Sequence, residues 1–244
     1  MPERDRAQDI NTRAMEHEER GEIDEAEALY KLACQADEDF PFPMFNLGLL
    51  CKRQRRWSEA LAYNQRAVQL DPDDQAGWWN LGIAATALED WAEARRAWTG
   101  AGVAIPEGEG PLTMDMGTIP VRLDPAGNGE VVWGSRIDPA RAILLNVPLP
   151  ESRHRFRDLL LHDGAPSGYR TFGEVEVPVF DTLQCLEQSP WSTFAVDLDM
   201  PDPDALQALV EVVTEAGDGI EDWGTVRTSC TQCSEGRPPE GHEH

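Results

Sequence analysis

The chain has 244 residues, of which 27% are charged and 41% are hydrophobic, and its formal net charge is −24. A polyanion of this strength repels nucleic acid and anionic lipid, which argues against nucleic acid and membranes as partners. No apolar run reaches the roughly 18 residues of a membrane span, and the first ten residues lack the apolar core of a secretory signal. Five scattered cysteines do not indicate a disulfide framework, so we expect a cytoplasmic protein.

The first part of the chain repeats itself at a spacing of 34 residues. At this shift the segment MFNLG, residues 44–48, falls on WWNLG, residues 78–82. Ala60 and Pro72 fall on Ala94 and Pro106 without a gap. A fixed spacing of this size indicates stacked copies of one supersecondary unit.

This pattern resembles the tetratricopeptide repeat (TPR) family, whose period is about 34 residues and whose signature includes W-x2-L-G. The resemblance covers about the first 108 residues and implies three repeats, near 7–40, 41–74 and 75–108, each of two antiparallel helices. The first repeat departs from the signature, because Arg13 and Ala14 replace its Leu-Gly pair.

Small and aromatic residues have defined places in such a repeat. Gly48 and Gly82 are small where the two helices of a hairpin approach each other closely. Trp57 and Trp91 are expected to begin the second helices of their repeats. Pro72 and Pro106 are expected to terminate those helices, because proline cannot continue them.

The resemblance also assigns a face to each of the two neighbouring tryptophans. Trp78 is expected to face the second helix of its own repeat, and Trp79 the concave side of the superhelix. The expected groove residues are Phe42, Phe45, Asn46, Leu49, Lys52, Arg53, Trp79, Asn80 and Ile83. We expect the apolar members to bury side chains of a protein or peptide partner, the two amides to hold its backbone and the two cations to select acidic character.

Two alternatives remain open for this groove. Its aromatic residues could contact a neighbouring part of the same chain instead of an external partner. The basic cluster KRQRRW, residues 52–57, fits either dipole compensation at a helix end or an anchor for an acidic partner. The groove lacks the cations that some TPR domains use for heat-shock chaperone tails, since Ala76 and Asn80 stand at those places.

Composition changes after Pro106, and the repeat stops. Short β-rich runs over residues 119–186 are separated by turn signals such as PAGNGE and DGAPSGY, and they predict a small antiparallel barrel or sandwich of about five strands. STFAVDLDM, residues 192–200, has similar β-rich character, and residues 220–228 suggest a last strand. Residues 201–217 predict a helix with a buried stripe of Leu206, Leu209, Val210 and Val213.

The expected architecture is therefore multidomain, α and α+β. A three-repeat α-α superhelix, the TPR helical repeat domain, occupies residues 1–108, and a small β-rich α+β domain occupies residues 112–228. A Cys/His tail follows at 229–244. TPR arrays usually end in a helix that covers the last repeat. Since no amphipathic helix follows Pro106 here, we expect an intramolecular contact in which the second domain covers it.

The second half offers few catalytic candidates. His162 and Asp163 precede a segment rich in glycine and proline, which resembles a base beside a flexible loop. Ser167 has no nucleophile motif around it, and Asp181 at a strand end fits a turn former. We expect a non-catalytic adaptor, with an enzyme or regulatory domain in 112–244 as the alternative.

The tail contains four residues of the kinds that bind metal ions. Cys230 and Cys233 form a C-x2-C pair, and His242 and His244 follow at the end of the sequence. Two thiolates and two imidazoles suit tetrahedral Zn²⁺. The spacing of the two histidines is cramped, so a disordered tail and a redox-active pair are the alternatives. A zinc-binding structural subunit is accordingly a further hypothesis.

Overall fold

The structure is a computed structural model that describes residues 3–127, 129–172, 175–199 and 203–223. The chain divides into two compact units between Leu112 and Thr113. Among the described helices, none combines the length and the apolar character that crossing a bilayer requires.

The described residues of the first unit form helices and connecting loops, with no strand. The helices are α1 (Glu3–Glu19), α2 (Ile23–Ala36), α3 (Pro41–Arg53), α4 (Trp57–Leu70), α5 (Gln75–Ala87) and α6 (Trp91–Gly100). Each odd-numbered helix packs against the helix that follows it, and three-residue turns join the two members of each pair. Trp57 and Trp91 begin α4 and α6, which confirms the predicted starts of the second helices.

Each turn within a helix pair contains one residue in the left-handed region. Gly21 has a φ of 75°, Arg55 a φ of 59° and Glu89 a φ of 57°. These three residues recur at the 34-residue spacing of the repeat. The backbone geometry is therefore repeated even where the sequence departs from the signature, as it does in the first repeat.

Two glycines permit the close approach of paired helices. A Cβ atom on Gly82 would lie 2.7 Å from three ring atoms of Trp98, which is fully buried on α6. A Cβ atom on Gly48 would lie 2.5 Å from Oδ1 of Asn64 on α4. Real Cβ contacts are essentially never this short. Glycine at these two positions therefore allows the side chains of Trp98 and Asn64 to pack against the facing helix, as the sequence predicted.

In its described residues, the second unit is a closed five-stranded barrel followed by one α-helix. Its elements are β1 (Thr118–Leu123), β2 (Glu130–Arg136), β3 (Arg141–Leu144), β4 (Leu159–Phe172), β5 (Val175–Glu187) and α7 (Pro203–Glu215). Consecutive strands pair antiparallel, whereas β1 and β5 close the barrel as a parallel pair. The barrel core is Ile119, Val121, Leu123, Val132, Ala142, Leu144, Leu160 and Phe180. The predicted five strands are present, but the sheet is mixed rather than wholly antiparallel.

Two further expectations for this unit are wrong. The segment 163–169, expected to be a turn, lies inside β4, where register shifts on both sides of Pro166 accommodate its glycines and proline. Residues 192–199 form no strand, and Phe194 is 80% exposed. A closed barrel has no free edge to which this segment could add.

Of the last two predicted elements, the helix is present, whereas the described part of the last strand is not a strand. Helix α7 is present, and its predicted stripe is the half-buried side of the helix, formed by Leu206, Leu209, Val210 and Val213. Residues 220–223 are not in a strand, and the rest of the predicted last strand, 224–228, lies outside the described residues.

Candidate functional site

The candidate site is a cleft in the helical unit, between the beginning of α3 and the loop that joins α4 to α5. Its volume is about 310 Å³. It is lined by Pro41, Phe42, Phe45, Ala67, Asp71, Asp73 and Asp74. We call it the aromatic cleft. It combines two of the predicted groove residues with three aspartates that the groove prediction did not include.

The apolar wall of the aromatic cleft follows from the first turn of α3. Pro41 stands at the start of this helix, where its missing N–H leaves no hydrogen bond unmade. Phe42 and Phe45 are three positions apart and therefore lie on one face of the helix. The Phe42 ring is 57% exposed and meets Phe40 edge-on at a centroid distance of 5.2 Å. The helix thus presents a large ring to solvent.

The acidic wall is the loop of residues 71–74. The carboxylate of Asp71 accepts the backbone N–H of Asp73 at 3.3 Å. The carboxylate of Asp74 accepts the N–H groups of Ala76 and Gly77 at 3.0 and 3.1 Å and so caps α5. Among the described residues, no basic side chain forms an ion pair with these aspartates. The cleft therefore combines exposed aromatic area with uncompensated negative charge.

The two tryptophans of WWNLG both contact α6. Trp78 lies against Gly100, and its indole N–H donates to the carbonyl of Pro72 at 2.8 Å. This placement agrees with its expected structural role. Trp79 is half-buried and meets Trp98 edge-on, with the ring centroids 5.2 Å apart and the planes at 71°. Part of the Trp79 ring therefore serves the packing of its own hairpin.

The polar groove residues are already partnered within the chain. Asn46 donates to the side-chain oxygen of Asn11 at 3.0 Å. Lys52, on α3, donates to the side-chain oxygen of Asn80, on α5, at 2.9 Å. Arg53 forms an ion pair with Glu18. The amides and cations expected to hold a partner thus also link the helices to one another.

A further arginine of the basic cluster, Arg56, is compensated in the same way. The guanidinium of Arg56 forms ion pairs with Glu27, at 2.6 Å, and with Glu59. The hydrogen bonds from Arg56 and then from Lys31 lower the pKa of Glu27 to about 2. This geometry agrees with a structural role for Arg56 between α2 and α4.

Three of the nine predicted groove residues are buried, contrary to the expectation that they face a partner. Lys52, Asn80 and Ile83 are 3%, 6% and 0% exposed. Helix α5 carries no charged side chain, and eight of its 13 residues are buried. The six residues that remain at least partly open are Phe42, Phe45, Asn46, Leu49, Arg53 and Trp79.

The catalytic candidates of the barrel do not form a catalytic pair. His162 is fully buried, its Nδ1 lies 2.8 Å from the carbonyl oxygen of Asp163, and its ring contacts Phe180. Burial lowers the pKa of His162 to about 4. The hydroxyl of Ser167 donates to Asp181 at 2.6 Å. His162 thus occupies a core position rather than that of a base open to substrate.

A group of metal-type side chains lies near the end of β5. Ligand atoms of His154, Asp158 and Cys185 are all within 4.8 Å of one another. Asp158 accepts backbone N–H groups of Arg155 at 2.9 Å and Ser189 at 2.8 Å, so its carboxylate already ties two loops together. Burial raises the pKa of the Cys185 thiol to about 11, which disfavours the thiolate that a metal needs.

The predicted zinc ligands of the tail lie outside the described residues. Zinc binding by Cys230, Cys233, His242 and His244 therefore stays a prediction.

TPR domains are among the solved structures to which this chain is similar. One is described as the second TPR of Spaghetti (RPAP3) bound to the HSP90 peptide SRMEEVD; it is 19% identical, the match covers 40% of this chain and 91% of that chain, and the TM-score is 0.38. Another is the first TPR of Spaghetti (RPAP3) bound to the same peptide, with 22% identity, coverage of 39% and 75%, and a TM-score of 0.37. No protein-family model and no curated protein matches the chain.

Proposed function

We propose that the chain is a non-catalytic interaction module whose helical unit binds an extended segment of a partner protein. The observation that carries this proposal is the exposed ring of Phe42 beside Phe45 in the aromatic cleft. Aromatic rings supply large contact area at low entropic cost and are enriched among the residues that dominate interfaces. A concave site of this kind fits a side chain of a partner better than a flat surface does.

The other open groove residues extend the proposed contact along the helices. Leu49 and the free part of the Trp79 ring supply apolar area, and Asn46 and Arg53 supply polar groups at its border. Lys52 and Asn80 are not part of the proposed contact, because both side chains are buried. Their hydrogen bond instead positions α3 relative to α5. A contact between the helical unit and the second unit stays a separate prediction.

The proposal is tested by selecting peptides from a random phage-displayed library on the full chain. Selected peptides are then measured against Phe42→Ala and against Leu32→Ala as a control. Leu32 on α2 is 49% exposed, so its removal takes away a similarly exposed apolar side chain elsewhere on the helical unit. We expect Phe42→Ala to weaken binding by about tenfold or more, which is typical of an interface anchor.

Equal affinities for the wild type, Phe42→Ala and Leu32→Ala would place the peptide site elsewhere and contradict the proposal. Circular dichroism of both variants checks that the helices are retained. Phe42 is suited to this experiment because its exposed ring contributes little to the core, whereas a truncation of Trp79 would also remove its contact with Trp98.

A further inference from the structure

We infer that the aromatic cleft accepts the guanidinium group of an arginine side chain from the partner. The inference rests on the proposed interaction function and names the chemistry of one partner residue. Another copy of the same loop within this chain already binds such a group.

The loops at 37–40 and 71–74 are equivalent in sequence and in backbone geometry. At the 34-residue shift, Asp37 falls on Asp71 and Asp39 falls on Asp73. In each loop the first aspartate accepts the N–H of the residue two positions later, at 3.0 Å in one loop and 3.3 Å in the other. In each loop the backbone carbonyl of the first aspartate also accepts the N–H three positions later, at 3.3 Å.

An arginine of the chain itself occupies the first copy. The Nε of Arg4 donates to the carboxylate of Asp37 at 2.5 Å, and one Nη donates to the carbonyl of Asp39 at 3.2 Å. The guanidinium carbon lies 4.9 Å from the centroid of the Phe40 ring. Carboxylate, carbonyl and aromatic face thus satisfy one guanidinium together.

The second copy has the same acceptors and an aromatic wall, but among the described residues no arginine forms an ion pair with its aspartates. At the 34-residue shift the start of α3, Pro41, corresponds to Ala7. Helix α1 begins one turn earlier, at Glu3, and this additional turn carries Arg4. Helix α3 begins at Pro41, and the residue equivalent to Arg4 is Glu38. In the second copy the rings come from Phe42 and Phe45 on the helix rather than from the loop.

Charge complementarity favours a cationic occupant over an acidic one. Within the described chain the aspartates of the 71–74 loop have no ion-pair partner, and the net charge of −24 attracts basic partners over a longer range. Arginine fits better than lysine, because its planar fork matches the spacing of a carboxylate and a carbonyl and stacks on aromatic rings.

The probe is the tripeptide acetyl-Gly-Arg-Gly-amide, titrated into ¹⁵N-labelled full-length protein and followed by amide chemical shifts. Matched peptides replace arginine by its neutral isostere citrulline or by glutamate. We expect weak binding that shifts the amides of Phe42, Asp71 and residues 73–77. The citrulline peptide should bind at least about fivefold more weakly than the arginine peptide. Equal shifts with citrulline, or stronger shifts with glutamate, would overturn the inference.

Variants test whether the two loop carboxylates are responsible. Asp71→Asn combined with Asp73→Asn keeps one side-chain oxygen at each position and removes two charges, and we expect it to weaken binding of the arginine peptide about fivefold or more. The control, Glu16→Gln combined with Glu25→Gln, removes two exposed charges from α1 and α2 and should change affinity by less than about twofold. Similar losses in both double variants would indicate a general charge effect and contradict a site.

Arg4→Gln tests the equivalence of the two copies. Arg66 still contacts the carbonyl of Glu38 and the carboxylate of Asp39 in this variant. The Asp37 carboxylate and the Asp39 carbonyl lose their guanidinium partner, so the arginine peptide should now also shift the amides of Asp37 and Asp39. Absence of those shifts, with the helices intact, would remove the equivalence on which the inference depends.

The library selection separates this inference from the proposed function. Selected peptides that need Phe42 but contain no arginine would leave the interaction module intact and refute the arginine site. If no peptide depends on Phe42, the interaction site itself is refuted.

Discussion

Lys52 and Asn80 form a buried hydrogen bond of 2.9 Å that links α3 of the second repeat to α5 of the third. Both residues were expected to face a partner, and both are almost fully buried. A buried amide oxygen that loses its donor costs about 1–3 kcal/mol. The pair therefore bears on the stability of the helical unit more directly than on recognition.

We predict that Lys52→Met lowers the free energy of unfolding by about 2 kcal/mol, because the Asn80 oxygen is left without this donor. The control is Lys31→Met, which replaces the other lysine of the sequence, an exposed side chain paired with Glu27. It should cost less than about 1 kcal/mol. Urea unfolding followed by circular dichroism at 222 nm measures both, and equal costs would contradict the structural role of Lys52.

Gly82→Ala should destabilise the helical unit by about 1–3 kcal/mol, as overpacking of a filled core does. The added methyl group would meet the buried ring of Trp98 at 2.7 Å, and that ring has little room to move. Gly110→Ala is the control, because a Cβ atom there meets no atom within 4 Å. The same urea experiment applies, and a Gly82→Ala variant as stable as the control would refute the close approach.

Asp74→Ala should cost about 1 kcal/mol, since it removes the acceptor for the two N–H groups at the beginning of α5. Asp74→Asn keeps a capping oxygen at that place and should be close to neutral. The difference between these two variants in thermal unfolding measures the cap. If both variants lose the same amount, the negative charge rather than the cap stabilises the helix.

The barrel should lose stability as the pH falls from about 6.5 to about 4. His162 has a pKa lowered to about 4 by burial, whereas in the unfolded chain its pKa is near 6.5. Between these values the unfolded state binds a proton that the folded state does not, so acid favours unfolding. The full shift corresponds to roughly 3 kcal/mol.

Calorimetry at pH 7.5 and pH 5 tests this effect in the wild type and in His162→Gln. The variant lacks the titrating group, so its barrel transition should depend less on pH than that of the wild type. The control is His154→Gln, which replaces another histidine of the same unit. An unchanged pH dependence in His162→Gln would show that another group controls acid stability.

The helical hairpins could be predicted from the sequence because individual residues with a defined structural role recur at the repeat spacing. Glycine recurs at a fixed spacing where two paired helices approach closely, and tryptophan recurs where the second helix begins. Each of these residues is required by its local structure. The barrel was predicted less well at Pro166, because bulges let a strand carry residues that usually end one. Strand pairing depends on distant partners that a local pattern does not contain.

The aromatic cleft could be predicted only in part. The rings of Phe42 and Phe45 were identified from their place on the first helix of the second repeat. The aspartates at 71 and 73 were missed, although their recurrence at 37 and 39 is visible in the sequence. Burial of Ile83 could not be inferred from the family resemblance, because it depends on how α5 as a whole is packed.

The parallel pairing of β1 with β5 has a consequence for how the protein is made. It brings together Arg122 and Asp181, which are 59 positions apart, whereas each helical hairpin joins neighbouring segments. Closing a long loop is entropically expensive, so chains with distant contacts fold more slowly than those with local ones. During synthesis the helical hairpins emerge first and can fold at once, while the barrel cannot close until its fifth strand has left the ribosome.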